Sequence, residues 1–323
     1  MGSENNPDIQ VSIIIVSYNQ FNLLDKCIDS LCYYNKEINF EIIVVDNAST
    51  EGNIYDVLSK FNQVKLTVIE NNRNLGFSKA NNQAIQIAKG RYILFLNNDT
   101  VFIEDSVRKV YSFAEIQIQP VIIGCKLLNA DGSDQISVID YDTLTNLFGE
   151  RLFLYLLFRR SKLMNRYHLN YKNLNMPTEI DSIKGAFMFC TAKLIKKLNG
   201  FDERFFFYGE EIDLCRRVKS AGGKIIYFPG TKLIHHGSGA AKRSPWRWYK
   251  YQQIGRIKLL QKYYKGGKFI AAITLYYYGV INRILVYFLT GLILLDINRI
   301  KKSCYYFKLL FVYPKNEFRG KSN

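Results

Sequence analysis

The sequence predicts an α/β fold, a parallel sheet with helices on both faces, followed by a basic, apolar helical region at the C-terminal end. Three observations predict it. Ile13-Ile14-Ile15-Val16, Ile42-Ile43-Val44-Val45 and Tyr92-Ile93-Leu94-Phe95-Leu96 are continuous apolar runs, as strands covered on both faces read. Segments of helical period separate them, and strand–helix alternation at this spacing builds parallel units. From Lys242 onward, 17 Lys/Arg stand against two acids, which leaves 27 basic and 26 acidic residues in the first 241.

In order, residues 11–16 are the first buried strand. Phe21–Tyr34 is a helix with Leu23, Leu24, Cys27, Ile28 and Leu31 at helical spacing. Residues 41–45 are a second strand, followed by a helix near 53–61 and a third strand over 64–70. The spacing predicts a helix over 78–89, with Ala80, Ala84, Ile87 and Ala88 inward and Gly90 just past its end. Residues 92–96 are the next strand, and a helix is expected near 104–113. After the strand at 120–124 the regularity weakens; residues 131–180 show no clear period, although 147–164 are basic and apolar. Order returns at 183–188. Residues 224–228 read as a strand closed by Pro229-Gly230, and 231–234 as a further β segment. The expected division is 1–240 as one domain and 241–323 as a second, helical region.

The 48% apolar content supplies a sizeable core for a chain of 323 residues. Residues 1–8 are polar, with no secretory pattern. The six cysteines form no C-x-x-C pair, which argues against a metal cluster or a disulfide framework and for a reducing cytosol. No G-x-G-x-x-G and no Walker A occurs, so dinucleotide and NTPase readings fall away. The front of the chain is near neutral, as enzymes commonly are. The tail requires an anionic partner or surface.

Strand ends carry the polar motifs. Asp46 closes the second strand, where doubly wound sheets bind ligands; it suits a ribose or base, or equally an Asx turn. Asn97-Asn98-Asp99 follows the 92–96 strand. One carboxylate and two amides suit a divalent cation only if a pyrophosphate supplies further oxygens; a helix cap is the simpler use. In Asn71-Asn72-Arg73-Asn74-Leu75-Gly76-Phe77, Gly76 allows close backbone approach and Arg73 suits a phosphate, against an ordinary capped loop. Gly209-Glu210-Glu211-Ile212-Asp213 opens a helix, where carboxylates complement the dipole; Asp213 and Arg217 are spaced for a surface pair. One of those carboxylates is equally suited to be a general base, with Phe205-Phe206-Phe207-Tyr208 as an acceptor wall. His235 and His236 end a β segment, so only one faces a given side; one suits a metal.

Together these motifs resemble the inverting glycosyltransferases of family 2, in the rhamnosyltransferase and galactofuranosyltransferase-like branch, over roughly residues 9–240. The marks are 12–19, Val45-Asp46-Asn47-Ala48-Ser49, Asn74-Leu75-Gly76-Phe77, Asn97-Asn98-Asp99-Thr100 and Gly200-Phe201-Asp202-Glu203. The resemblance implies the GT-A fold, with a mixed, mainly parallel sheet. It implies transfer of a sugar, of rhamnose or galactofuranose type, from a nucleotide-diphosphate sugar to a hydroxyl of a glycan or lipid-linked acceptor in cell-surface polysaccharide synthesis. By position, Tyr18 and Asp46 line the nucleoside pocket, and Arg73, Asn74 and Gly76 lie near the diphosphate, with Asn97 and Asn98 on the donor. Asp99 and His235 hold Mn2+ or Mg2+, and Glu211 is the base. Two departures stand out. The family's D-x-D is Asn-Asn-Asp here, and its Glu-Asp pair is Glu210-Glu211, which makes Asp213 the substitute base.

Residues 269–295 are apolar apart from Arg283, beside Asn282. An arginine at mid-membrane costs roughly 2.5–3.5 kcal/mol, and division at Asn282-Arg283 leaves two halves too short to span. Helices lying in an anionic membrane interface, on its cytoplasmic face, are therefore expected over a spanning helix. A helical homo-oligomer interface is the alternative. A non-catalytic, nucleotide-sugar-binding scaffold at the membrane is the competing function. A nucleic-acid binder using the basic aromatic tail is a third, and no nucleic-acid partner is expected.

Overall fold

β1 (Val11–Ser17) organises the fold: Val11, Ile13, Ile14 and Ile15 are fully buried, on both faces of the strand. Burying such a side chain contributes about 1.5–3 kcal/mol, so a strand apolar on both faces belongs at a sheet's centre. The computed structural model describes residues 9–141, 143–158, 160–161, 173–237 and 244–315. By packing, the chain forms two units. The first is Met1–Ile139, Leu174–Phe206 and Glu210–Gly237; the second is Asp140–Asn173, Phe207–Gly209 and Ser238–Asn323. The second unit thus takes in residues 140–173 and 207–209 besides the chain's end.

In the first unit β1 pairs in parallel with β2 (Phe40–Asp46), which pairs in parallel with β3 (Leu66–Glu70), and on its other side with β4 (Tyr92–Asn97). β5 (Thr100–Phe102) follows β4 after a tight turn. β6 (Val121–Leu128) carries the short β7 (Asp134–Gln135) on its edge. β8 (Val138–Ile139) pairs with β10 (Ser182–Ile183) as a separate ribbon, and β9 (Thr178–Glu179) pairs with the last strand. β11 (Phe187–Thr191) runs antiparallel between β4 and β6. β12 (Lys224–His235) is parallel to β6 and antiparallel to β5. The order is β3-β2-β1-β4-β11-β6-β12-β5. The sheet is therefore mixed but mainly parallel, and β1, β2, β4, β6 and β12 end at one edge.

α1 (Phe21–Tyr34), α2 (Ile54–Leu58) and α4 (Ser106–Glu115) pack their buried residues with Ile13, Ile15, Ile42, Val44, Leu94 and Leu96 in one cluster. α3 (Phe77–Ile87), α7 (Ala192–Lys197) and α8 (Glu210–Ser220) also pack on the sheet. The helix expected near 53–61 is α2 followed by a 3-10 turn, Ser59–Phe61. In α3, Ala80 and Ala84 are inward as expected, but Ile87 is 41% exposed; Ile85 takes the inward position. Gly90 has a packing reason: a Cβ there would stand 2.3 Å from the Ser12 backbone nitrogen. The turn expected at Pro229-Gly230 is a register shift inside one continuous strand, β12.

The second unit is helical: α5 (Leu144–Arg151), α6 (Leu154–Leu157), α9 (Pro245–Tyr263), α10 (Gly266–Ile293) and α11 (Ile297–Leu309). The division expected at Asn282-Arg283 does not occur, because Arg283 is not left to solvent or lipid. Its guanidinium reaches Glu150 Oε1 at 2.8 Å and lies over the Phe153 ring. Gly279 of α10 packs where a Cβ would collide with the Arg151 side chain. Part of the basic apolar stretch 147–164, and residues 238–243, lie outside the described residues.

Candidate active site

The edge at which the parallel strands end gathers most of the predicted residues, and hydrogen bonds between loops show how. Ser17 of β1 is in register with Asp46 of β2. The Asn47 N–H donates to Ser17 O at 2.8 Å, and Asn98 Nδ2 donates to Ser17 Oγ at 3.3 Å. Asn19 N–H donates to Ser49 Oγ, while Thr50 N–H donates to Asn19 Oδ1. These bonds tie the loop carrying Tyr18 to the loop after Asp46. Asn19, Gln20 and Ala48 have positive φ there, the sparsely populated backbone that accumulates near functional sites. Tyr18 is 42% exposed, its ring left to solvent.

Asp46 is used first by its own turn: Oδ1 accepts from Ser49 N–H at 3.1 Å and Ser49 Oγ at 2.5 Å. Asn74 Oδ1 accepts from Asn47 Nδ2 and from the Gly76 N–H, so this amide shapes the loop. Gly76, at φ +84°, makes a close approach to protein: a Cβ there would meet Phe206 O at 2.5 Å, and the Phe77 N–H donates to that same oxygen. The 74–77 turn is thereby fastened to the segment leading into α8. Arg73 is exposed beside it.

The turn from β4 into β5 places Asp99 against His235, because Thr100 is in register with His235. His235 Nε2 is 3.2 Å from Asp99 Oδ1 and 3.3 Å from Asn97 Nδ2. The His236 N–H donates to Asp99 O, and the His236 side chain is exposed. Asp99 is 9% exposed.

The three carboxylates of α8 have three fates. Asp213 is fully buried and accepts from Arg217 Nε at 2.8 Å, while Arg217 also donates to Leu198 O and Gly200 O. The expected surface pair is thus an interior strut. Glu210 is buried, and burial, reinforced by the Glu211 charge, holds its carboxyl well above the usual range. Glu211 is half-buried against Gly185, where a Cβ would lie 3.9 Å from the Glu211 Cβ. The next residue, Ala186, accepts from the Asn97 N–H at 3.1 Å, which brings Glu211 to the end of β4. Burial lowers the Lys184 ammonium, opposed by the charge of Glu211. Of the expected aromatic wall, Phe205 is core and Phe206 is 38% exposed.

A hard divalent cation suits Asp99 and His235. Gln135, to which sequence reasoning assigned no role, lies 2.6 Å by its Oε1 from His235 Nδ1. The signal for its strand was the Asp131-Gly132-Ser133 turn after an apolar run, with Gly132 at φ +83°. Among the described residues no group of three or more His, Cys, Asp or Glu is disposed around a metal. The pair fits a cation whose other ligands come from a phosphate-bearing substrate, rather than a resident cluster. The hollow lined by Ile116, Gln117, Ile118, Gln119, Val121 and Lys224 is at the opposite edge, where β6 and β12 begin.

Residues 12–189 match the family described as "Glycosyl transferase family 2", and residues 165–237 match "N-terminal domain of galactosyltransferase". Rhamnosyltransferase WbbL of Escherichia coli (strain K12) is 26% identical over 266 residues, 77% of this chain and 94% of the relative. The N-acetylglucosaminyl-diphospho-decaprenol L-rhamnosyltransferase of Mycobacterium tuberculosis is 23% identical over 246 residues, 72% of this chain and 78% of the relative. Other curated relatives are much longer: the chain spans 18%, 25% and 27% of three of them. In structure, the mannosyltransferase PcManGT from Pyrobaculum calidifontis, solved with GDP-Man and Mn2+, superposes with a TM-score of 0.57 at 15% identity. The superposition covers 97% of this chain and 88% of that one.

Proposed function

The chain belongs to glycosyl transferase family 2 and has the GT-A fold, and from that premise we propose that it is an inverting, cation-dependent glycosyltransferase. Its donor is a nucleotide-diphosphate sugar, of rhamnose or galactofuranose type. Its acceptor is a hydroxyl of a glycan or lipid-linked saccharide in cell-surface polysaccharide synthesis. The single observation that carries this reading is the meeting of Asp99 and His235 at 3.2 Å, at the edge where Asp46 and Glu211 also emerge.

Tyr18 and Asp46 bound the nucleoside pocket, Asp46 with the oxygen its own turn leaves over. Arg73, with Asn97 and Asn98, lies along the diphosphate. Asp99 and His235 would hold Mn2+ or Mg2+, which when bound offsets the charge of the departing diphosphate. Glu211 takes the acceptor's proton. The acceptor oxygen bonds to the anomeric carbon as the bond to the phosphate oxygen breaks on the opposite face, which inverts that carbon. Among the α8 carboxylates Glu211 is favoured because Asp213 is committed to Arg217 and burial raises the Glu210 carboxyl. A base must be ionised at working pH.

The second unit supports an anionic membrane surface as partner, at the cytoplasmic face. Ile281, Leu285, Leu289 and Leu292 are exposed at helical spacing on α10, as are Phe307 on α11 and Phe311 just past its end. α10 is long and apolar enough to cross a membrane by length and composition, with 28% of its most apolar window buried. It packs against α5 and α11, which carry Glu150, Lys301 and Lys302. Insertion across the bilayer would take those charges with it, so lying in the interface is the better solution.

The deciding experiment is a screen of nucleotide sugars for release of nucleoside diphosphate with Mn2+, Mg2+ or EDTA. Release that needs the cation and is lost in Glu211→Gln is expected. Donor binding without release from any donor favours the non-catalytic scaffold. Flotation with anionic vesicles, weakened by Leu285→Glu together with Leu289→Glu, tests the membrane reading; an equal shift with an oligonucleotide would favour a nucleic-acid partner.

A further inference from the structure

Gln135 is held so that its amide can face only one way. Its Nε2 donates to Asn129 Oδ1 at 2.9 Å and to the His235 carbonyl oxygen at 3.0 Å. A backbone carbonyl can only accept, so the nitrogen end of the amide is fixed by a group that cannot be reversed. The opposite end, Oε1, is then what meets His235 Nδ1 at 2.6 Å. That oxygen also can only accept, so Nδ1 carries a proton. In a neutral imidazole the remaining nitrogen, Nε2, keeps its lone pair, with the Asn97 Nδ2 donor 3.3 Å away. It stands 3.2 Å from Asp99 Oδ1, itself an acceptor. Without Gln135 the ring would gain by moving its proton to Nε2 and donating it to Asp99, and each group would consume the other.

We propose that Gln135 is a positioning residue: it locks His235 in the Nδ1–H tautomer, so that His235 Nε2 and Asp99 Oδ1 face one cation instead of bonding to each other. This rests on the cation reading given above and adds the residue that makes the pair competent. Partners of this kind typically change metal affinity by roughly 10–100-fold when removed.

The test uses the full chain with 15N-labelled histidine and reads the tautomer of the neutral ring. With three histidines in the chain, His235→Asn identifies the signals. Wild-type protein is expected to show His235 protonated at Nδ1. Gln135→Leu is expected to move the proton to Nε2, and Gln135→Glu, which keeps an acceptor, to restore Nδ1–H. Mn2+ alone is then titrated, and broadening of the His235 ring signals read. Gln135→Leu should need roughly 10–100-fold more Mn2+ than wild type. An Nε2–H ring in wild type, or an unchanged tautomer in Gln135→Leu, overturns the inference. If Gln135→Leu does not fold, wild type and Gln135→Glu still decide the tautomer. Sharp His235 lines at high Mn2+ beside an Nδ1–H ring would overturn the cation reading, and the tautomer result tells that failure from the first.

Discussion

Asp99 and Asp213 are both buried aspartates of the first unit, one at the end of β4 and one in the first turn of α8. Asp213 has a full-strength partner, Arg217, whose other donors go to Leu198 O and Gly200 O. Asp99 faces the His235 ring through Nε2, the nitrogen left as an acceptor when Nδ1–H donates to Gln135 Oε1. A buried carboxylate matched by a guanidinium is consumed by the fold. One matched by a lone pair still has charge to offer, and that difference separates strut from ligand better than burial does.

Substitutions in the two regions should therefore fail in different ways. The largest effect is expected from Glu211→Gln, the α8 carboxylate proposed as the base: sugar transfer should fall by about 10²–10⁴-fold with the urea midpoint unchanged. A midpoint that dropped with activity would make Glu211 structural and erase the distinction. Asp99→Asn should lower turnover by roughly 10²–10³-fold, again without loss of stability, and raise the Mn2+ needed. Asp213→Asn should show the reverse pattern, losing about 3 kcal/mol in urea unfolding, because a buried partner of Arg217 is removed. Residual activity per folded molecule should stay near wild type.

The smallest effect belongs to Glu210→Gln, and its sign is opposite. Burial raises the folded carboxyl above the unfolded value near about 4.3, so the native state keeps a proton that the unfolded chain releases. Stability is complete below the unfolded value and declines as pH rises toward the folded one, at up to about 1.4 kcal/mol per pH unit. Glu210→Gln removes that slope. Its gain should be greater at about pH 8 than at about pH 5, read by urea midpoints. A slope unchanged by the substitution would show that Glu210 is ionised in the native state and would return it to the set of candidate bases.

Much of the fold was legible because it is written locally. Continuous apolar runs give β1, β2 and β4, and Phe21–Tyr34 has the bounds its apolar spacing predicts. Ile87 was misread because 3.6-residue spacing admits either Ile85 or Ile87 on the inner face, and the sheet's surface makes the choice. Gly76 was read as room for a ligand; its space is filled by Phe206, a residue distant in sequence. Gln135 was missed because a two-residue strand has no period to detect. Arg283 was weighed against lipid because its counter-charge, Glu150, belongs to a segment that showed no pattern.

What the sequence determined by itself was the alternation of strands and helices, and the polar residues stationed at strand ends. Both follow from side-chain shape and hydrophobic spacing within a few residues. Only the tertiary structure decided which carboxylate is spent on Arg217, which ring nitrogen meets Asp99, and where Arg283 finds its charge. Those are questions of partnership across 100 positions or more for Gln135 with His235 and Glu150 with Arg283. A buried polar group takes its character from the partner that desolvation forces on it, and that partner is chosen by packing.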